Sequence, residues 1–161
     1  MTSAQEVLRR AGELTGENRA FVLATVVNVT RPASTRRGDK GLVTEDGKLV
    51  GWVGGACSEP IVIREALRAL ADGEARLLRI GPAGSHEDTP DDVVAAESMC
   101  ASEGTVEVLL EPQLPAPLLA VLGDGPAARV LAELAGTIGW RVATGQGQIV
   151  LITPPGQIEA P

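Results

Sequence analysis

Aromatic residues are almost missing from this chain of 161 residues, which has two tryptophans, one phenylalanine and no tyrosine. Stacking of bases on aromatic side chains is the sequence-tolerant grip on single-stranded nucleic acid, and three rings cannot build such a platform. Excess positive charge is missing too. The net charge of -7 argues against a groove that tracks nucleic-acid phosphates. Only two cysteines, Cys57 and Cys100, and one histidine, His86, are present. They form neither a Cys-x-x-Cys pair nor a Cys/His cluster, so the common structural zinc sites are excluded. No apolar run reaches the length of a membrane span and no signal-peptide pattern is visible. Cysteine usage of this kind leads us to expect a reducing cytoplasm, no structural disulfide and no membrane contact.

What is present is an ordinary globular composition, 44% apolar and 22% charged, with the apolar bulk supplied by Val, Leu, Ile and Ala. The length allows one domain or two small ones with a sizeable core. Charge is unevenly spread. Residues 1–80 carry 12 Lys/Arg against 10 Asp/Glu, whereas residues 81–161 carry 2 against 11. An anionic ligand is therefore expected on the first half.

The chain is organised around Gly51-Trp52-Val53-Gly54-Gly55-Ala56-Cys57-Ser58-Glu59-Pro60, which reads as the end of a strand and the start of a helix. Glycines there let a ligand approach the main chain, and the first N–H groups of a helix favour an anion or a thiolate. Before this stretch, residues 3–16 have helical spacing (Val7, Leu8, Ala11, Leu14) behind an N-cap at Ser3. Phe21 to Val29 is a buried strand, and it leads into a loop holding Arg31, Arg36, Arg37, Asp39 and Lys40. Gly41 to Glu45 and Lys48 to Val53 form a hairpin about Asp46-Gly47. After Pro60, the helical pattern of Ile61, Val62, Glu65, Ala66, Ala69 and Leu70 stops at Asp72-Gly73. Glu74 to Ile80 and Thr105 to Glu111 read as strands. Gly81 to Asp92 and residues 98–104 read as loops, and His86, beside Glu87 and Asp88, reads as solvated surface.

Pro112, Pro115 and Pro117 mark a domain boundary. Beyond it, Leu118 to Leu122 is a strand, Gly123-Asp124-Gly125-Pro126-Ala127-Ala128 opens a helix to about Ile138, and Trp140 to Ala143 is the next strand. That is the opening of a dinucleotide-binding unit, with Gly123 and Gly125 in its turn. No Asp or Glu stands between Glu133 and Glu159, so the partner for a ribose hydroxyl is missing. A last strand, Gln148 to Thr153, completes a unit expected to hold two or three parallel strands. The fold expected is α/β in two parts: an α+β domain over residues 1–113 with a mixed or antiparallel sheet, and a truncated Rossmann-like unit over residues 118–161.

Two readings of Cys57 stand at this point, a thiol of lowered pKa able to ligate a metal or carry sulfur, or a small inert hydrophobe. Cys100 is either a second sulfur meeting Cys57 or an unremarkable thiol. Arg36, Arg37 and Lys40 suit a phosphate, arginine through its paired donors, unless they form only a solvated loop. The glycines Gly54, Gly55, Gly123 and Gly125 serve either a ligand or tight turns and close packing.

The stretches ATVVNVTRPASTRRGDKGLVTEDGKLVGWVGGACSEP, REALRALADGEARLL, GTVEVLLEP and LLAVLGDGPAARVLAELAGTIGWRV together resemble the XdhC/CoxI family over residues 20–143. The resemblance implies an accessory protein of molybdenum hydroxylases such as xanthine dehydrogenase and carbon monoxide dehydrogenase, a maturation chaperone more than an enzyme. Its cargo would be the molybdenum cofactor, sulfurated with a cysteine desulfurase and delivered to the apo molybdenum hydroxylase. On that reading Arg36, Arg37, Lys40, Gly54 and Gly55 hold phosphate and pterin, Cys57 faces the molybdenum or accepts sulfur, Glu59 orients the cofactor or takes a proton, and Cys100 assists. Here Ala56 separates the Gly-Gly pair from the cysteine, and the Rossmann-like part is shorter than in most members. Two other functions fit the residues: a small NAD(P)-dependent oxidoreductase or nucleotide sensor built on Gly123 to Ala128, and a homodimeric interaction module without ligand.

Overall fold

The computed structural model of the chain describes residues 3–85, 89–98, 104–145 and 150–153. His86 and Cys100 lie outside the described residues. Contacts divide the chain into two compact units, Met1–Gln113 and Leu114–Pro161.

The first unit is a six-stranded sheet with helices on its two faces. Its strands are β1 (Phe21–Thr30), β2 (Lys40–Thr44), β3 (Leu49–Gly51), β4 (Arg76–Gly81), β5 (Val93–Glu97) and β6 (Thr105–Gln113), in the order β3-β2-β1-β6-β4-β5. All neighbours are antiparallel except β4 and β5, so the sheet is mixed, as expected. Sheet alternation assigns the side chains. Val22, Ala24 and Val26 of β1, Leu78 and Ile80 of β4, and Val106, Val108 and Leu110 of β6 are buried in one cluster with Val62, Ala66 and Ala69 of α2 (Glu59–Asp72). The opposite face, through Phe21 and Leu42, packs on Val7 and Leu14 of α1 (Ala4–Gly16). Each fully buried Val or Leu contributes about 1.5–3 kcal/mol by leaving water.

Both helices start and stop for local reasons. Ser3 caps α1 by accepting from the Glu6 N–H at 3.2 Å. Pro60 lies in the first turn of α2, and Gly73 ends it in the left-handed region at φ 77°. Glu65 of α2 is 2% exposed although it carries a charge. Arg64 and Arg68 each place a nitrogen 2.9 Å from its Oε1, so the buried charge is paired.

Three expectations need correction here. Leu8 does not join the α1 core but is 49% exposed, because the stripe meeting the sheet is Val7 and Leu14. The return strand is only Leu49–Gly51, since Gly51 turns the chain at φ 110°. An additional strand, β5, stands parallel to β4 where none was expected.

The second unit contains β7 (Leu118–Leu122), α3 (Pro126–Thr137), β8 (Arg141–Gly145) and β9 (Val150–Thr153), with strand order β8-β7-β9. β7, α3 and β8 form a parallel crossover, as the glycine turn predicts. β9 runs antiparallel to β7, against the expectation of a third parallel strand. Only residues 146–149 separate it from β8, too short a connection to return to the start of the sheet. Its core is Leu119, Val121 and Ala135, with Ala128 and Trp140 packed against them.

Candidate functional site

The loop between β1 and β2 is built around one carboxylate. Asp39 Oδ2 accepts from the Thr35 hydroxyl and from the Arg36 N–H, both at 2.8 Å. The Asp39 carbonyl accepts from Val26 N–H at 2.9 Å while Gly38 N–H donates to the Val26 carbonyl at 2.8 Å. These bonds sit beside the β1 register shift between Val26 and Asn28 and tie the loop back to β1. The loop's acid therefore shapes its main chain, and none of its cations, Arg31, Arg36, Arg37 or Lys40, forms an ion pair among the described residues. Elsewhere in this unit Arg9, Arg10, Arg19, Arg64, Arg68, Arg76 and Arg79 are all ion-paired.

Facing this loop is the turn before α2. Gly54 has φ 142°, and an alanine Cβ there would stand 2.9 Å from the Ser58 Cβ, so only glycine serves. Gly55 has more room, its nearest neighbour being Ser34 Oγ at 3.7 Å. The Gly55 carbonyl accepts from Ser58 N–H at 2.9 Å and Glu59 N–H at 3.2 Å. Two of the main-chain donors expected to await a ligand at this helix start are thus already engaged. Cys57 is exposed.

Two cavities flank Ser34. The first, about 60 Å³, is lined by Ser34, Thr35, Gly54, Gly55, Cys57 and Ser58 together with Ile80 and Val106, residues of the α2 face of the sheet. Ser98 and Gly104 also line it. Gly104 is obligatory, because any side chain there would overlap the Pro32 carbonyl. Such a volume admits a few waters or one small group, since one water needs about 10–15 Å³. The second, about 320 Å³, is lined by Ser3, Ala4, Ser34, Arg36, Asp39, Lys40 and Trp52. It reaches the lower end of the roughly 300–1,000 Å³ usual for ligand sites. Lys40 lies on the α1 face with Leu42, two residues on along β2, and donates to Thr25 Oγ1 at 2.9 Å. The Trp52 indole Nε1–H points at the Ser34 carbonyl at 3.4 Å.

The expected site residues are thus partly assembled and partly dispersed. Gly54, Gly55 and Cys57 share the small cavity, whereas Arg36 and Lys40 line the larger one. Arg37 joins neither set. Its Nη2 donates to Asn28 Oδ1 at 2.7 Å, and Asn28 lines a third cavity with Arg79 and Glu107 on the sheet face away from α2. Glu59 is exposed in the first turn of α2 and lines neither of the two cavities at Ser34. Its charge suits the positive end of the helix. In the second unit Gly123 sits at φ 114° with its N–H donating to the Gly145 carbonyl at 2.9 Å. Gly125 is the N-cap of α3 at φ -66° with nothing near its absent Cβ, so neither strain nor packing requires glycine there. Ser34, Thr35, Asp39 and Trp52 were not singled out as site residues by the sequence reading. The Thr-x-x-x-Asp spacing is a local signal for Thr35 and Asp39 alone.

Comparison with known proteins bears on this arrangement. Residues 14–81, which carry β1, the cationic loop, the glycine turn and α2, match the XdhC and CoxI family. The match falls on the stretch whose motifs carry the resemblance to that family. The chain is 30% identical over 137 residues to the uncharacterized protein YqeB of Escherichia coli, covering 85% of this chain and 24% of that protein. It is 35% identical over 75 residues to the molybdenum cofactor insertion chaperone PaoD of Escherichia coli, covering 47% of this chain and 24% of that one. It therefore spans about a quarter of the length of these curated relatives. A crystal structure described as a xanthine dehydrogenase from Bacillus halodurans is similar at a TM-score of 0.49 and 26% identity, over 65% of this chain and 30% of that one. No helix among the described residues is long and apolar enough to cross a membrane. No group of three or more His, Cys, Asp or Glu that could hold a metal ion occurs among the described residues.

Proposed function

We propose that the chain is part of a maturation chaperone that carries the molybdenum cofactor to an apo molybdenum hydroxylase of the xanthine dehydrogenase or carbon monoxide dehydrogenase type. The observation that carries this reading is the exposed Cys57 at a small cavity beside the Gly54-Gly55 main chain, within the stretch that matches the family. A relative named as a cofactor insertion chaperone supports it. The cavity suits one small inorganic end of the cargo and not its whole tricyclic body, so Cys57 is the contact to the metal and the rest of the cargo lies outside that cavity. A lone thiolate is a fitting ligand for cargo that must leave again, because one bond of this kind is easily exchanged.

Cys57 also suits sulfur reception. Its thiolate would attack the outer sulfur of a cysteine desulfurase persulfide, gaining that sulfur as a new S–S bond while the donor cysteine leaves as a thiolate. This chemistry belongs in the cytoplasm, and a homodimer would present two such sites. Glu59 is retained only as the acid of the helix's first turn.

The test is transfer. Purified protein incubated anaerobically with the molybdenum cofactor should coelute with molybdenum and pterin and then activate an apo-hydroxylase, and Cys57→Ala should lose molybdenum retention. If loaded and unloaded protein keep the same mass and absorbance after excess cofactor, the reading fails. Light scattering reads the dimer, and desulfurase-dependent labelling of Cys57 with sulfur reads the second role.

A further inference from the structure

The larger cavity, on the other side of Ser34, has a chemistry of its own. It combines one indole, Trp52, with two cations, Arg36 and Lys40, against a single acid, Asp39, whose Oδ2 is already committed to the Thr35 hydroxyl and the Arg36 N–H. Arg36 forms no ion pair among the described residues, although seven arginines of the same unit do. Its exposed guanidinium is therefore available to an incoming oxyanion. Trp52 is anchored at its Nε1 edge by the Ser34 carbonyl and is half-buried, which fixes a flat apolar surface beside those charges. The volume of about 320 Å³ is five times that of the Cys57 cavity.

From this we infer a subsite for a planar fused heterocycle bearing a phosphate monoester, with Trp52 stacking on the ring and Arg36 and Lys40 holding the phosphate. It rests on the maturation reading and refines it. Ser34 lines both cavities, and on this assignment the ring end of the cargo takes the Trp52 side and the metal end the Cys57 side. Arg37, bonded to Asn28 beside a different cavity, takes no part.

Isothermal titration of the full chain with metal-free molybdopterin, and separately with the molybdenum-loaded cofactor, tests the assignment. Trp52→Ala is expected to weaken the metal-free ligand about tenfold through lost stacking, and Arg36→Ala by a similar factor through lost charge-assisted bonds. Trp52→Phe should retain binding, and Lys48→Ala, which removes a cation outside the cavity, should match the wild type. Because Arg36 is exposed, its variant keeps the test alive should Trp52→Ala not fold. If the wild type binds and both alanine variants bind as tightly, the subsite is wrong and the maturation reading stands. Failure of the wild type to bind either ligand overturns both.

Discussion

The Thr35 hydroxyl donates to Asp39 Oδ2 at 2.8 Å, and Thr35 is 1% exposed. A buried hydroxyl that loses its acceptor costs about 1–3 kcal/mol, and the same oxygen also holds the Arg36 N–H. Asp39→Ala should therefore destabilise the chain by about that amount and loosen the loop that carries Arg36. Asp39→Asn, which keeps one acceptor oxygen, should cost less. Urea denaturation of the two variants checks this. Equal losses would mean that the carboxylate acts through charge and not as a hydrogen-bond acceptor.

Gly54 and Gly55 are neighbours with opposite tolerances. At Gly54 the backbone stands at φ 142° and an added Cβ would press on Ser58, so Gly54→Ala should cost about 1–3 kcal/mol. At Gly55 the nearest atom is 3.7 Å away, and alanine should leave stability within about 0.5 kcal/mol of wild type while narrowing the Cys57 cavity. Thermal melts separate the pair. Comparable melting points for the two variants would remove the turn from the account of the site.

Asp72 gives the chain a defined acid limb. Its carboxylate accepts from the Glu74 N–H at 3.0 Å and pairs with Arg76, and these contacts, the Glu74 bond first, hold its carboxyl below the usual range. A depressed folded-state pKa means stabilisation that is complete above the ordinary carboxylate value and is lost as pH falls through the folded value. The melting-point gap between wild type and Asp72→Asn should thus stay constant from neutral pH down to the ordinary carboxylate range, and close below it. A gap that keeps its size in acid would show that the charge of Asp72 is not the cause.

How much of this was legible beforehand depends on how local each cause is. β1 announces itself by an unbroken β-branched run, and α2 by Pro60 and Gly73 at its ends. The nearness of Cys57 to Gly54 and Gly55 is fixed by chain connectivity, so it was readable. β5 was not, because Val93–Glu97 is a short edge strand with two alanines whose order comes from pairing with β4. The separation of Arg36 from Arg37 was equally hidden. Adjacent residues in an irregular loop point where its hydrogen bonds send them, and those run through Asp39, Val26 and Asn28. The direction of β9 followed from a four-residue connection whose meaning appears only once β8 and β7 are known to be parallel.

Cys57 offers the most direct check on the proposed cargo route. It is exposed and lines the small cavity beside Ser34, so an alkylating reagent should reach it in the native protein, where a buried core thiol would react only on unfolding. Peptide mapping after brief treatment with iodoacetamide should place the label on residue 57 under native conditions. Excess molybdenum-loaded cofactor should slow that labelling, because a thiolate bound to metal cannot attack the reagent. Metal-free molybdopterin should protect less, since its ring end is assigned to the Trp52 side of Ser34 and leaves the sulfur open. The ratio of the two protections thus reports which end of the cargo meets Cys57. Labelling that proceeds at one rate with the loaded cofactor, the metal-free ligand or neither would separate the thiol from the cargo altogether.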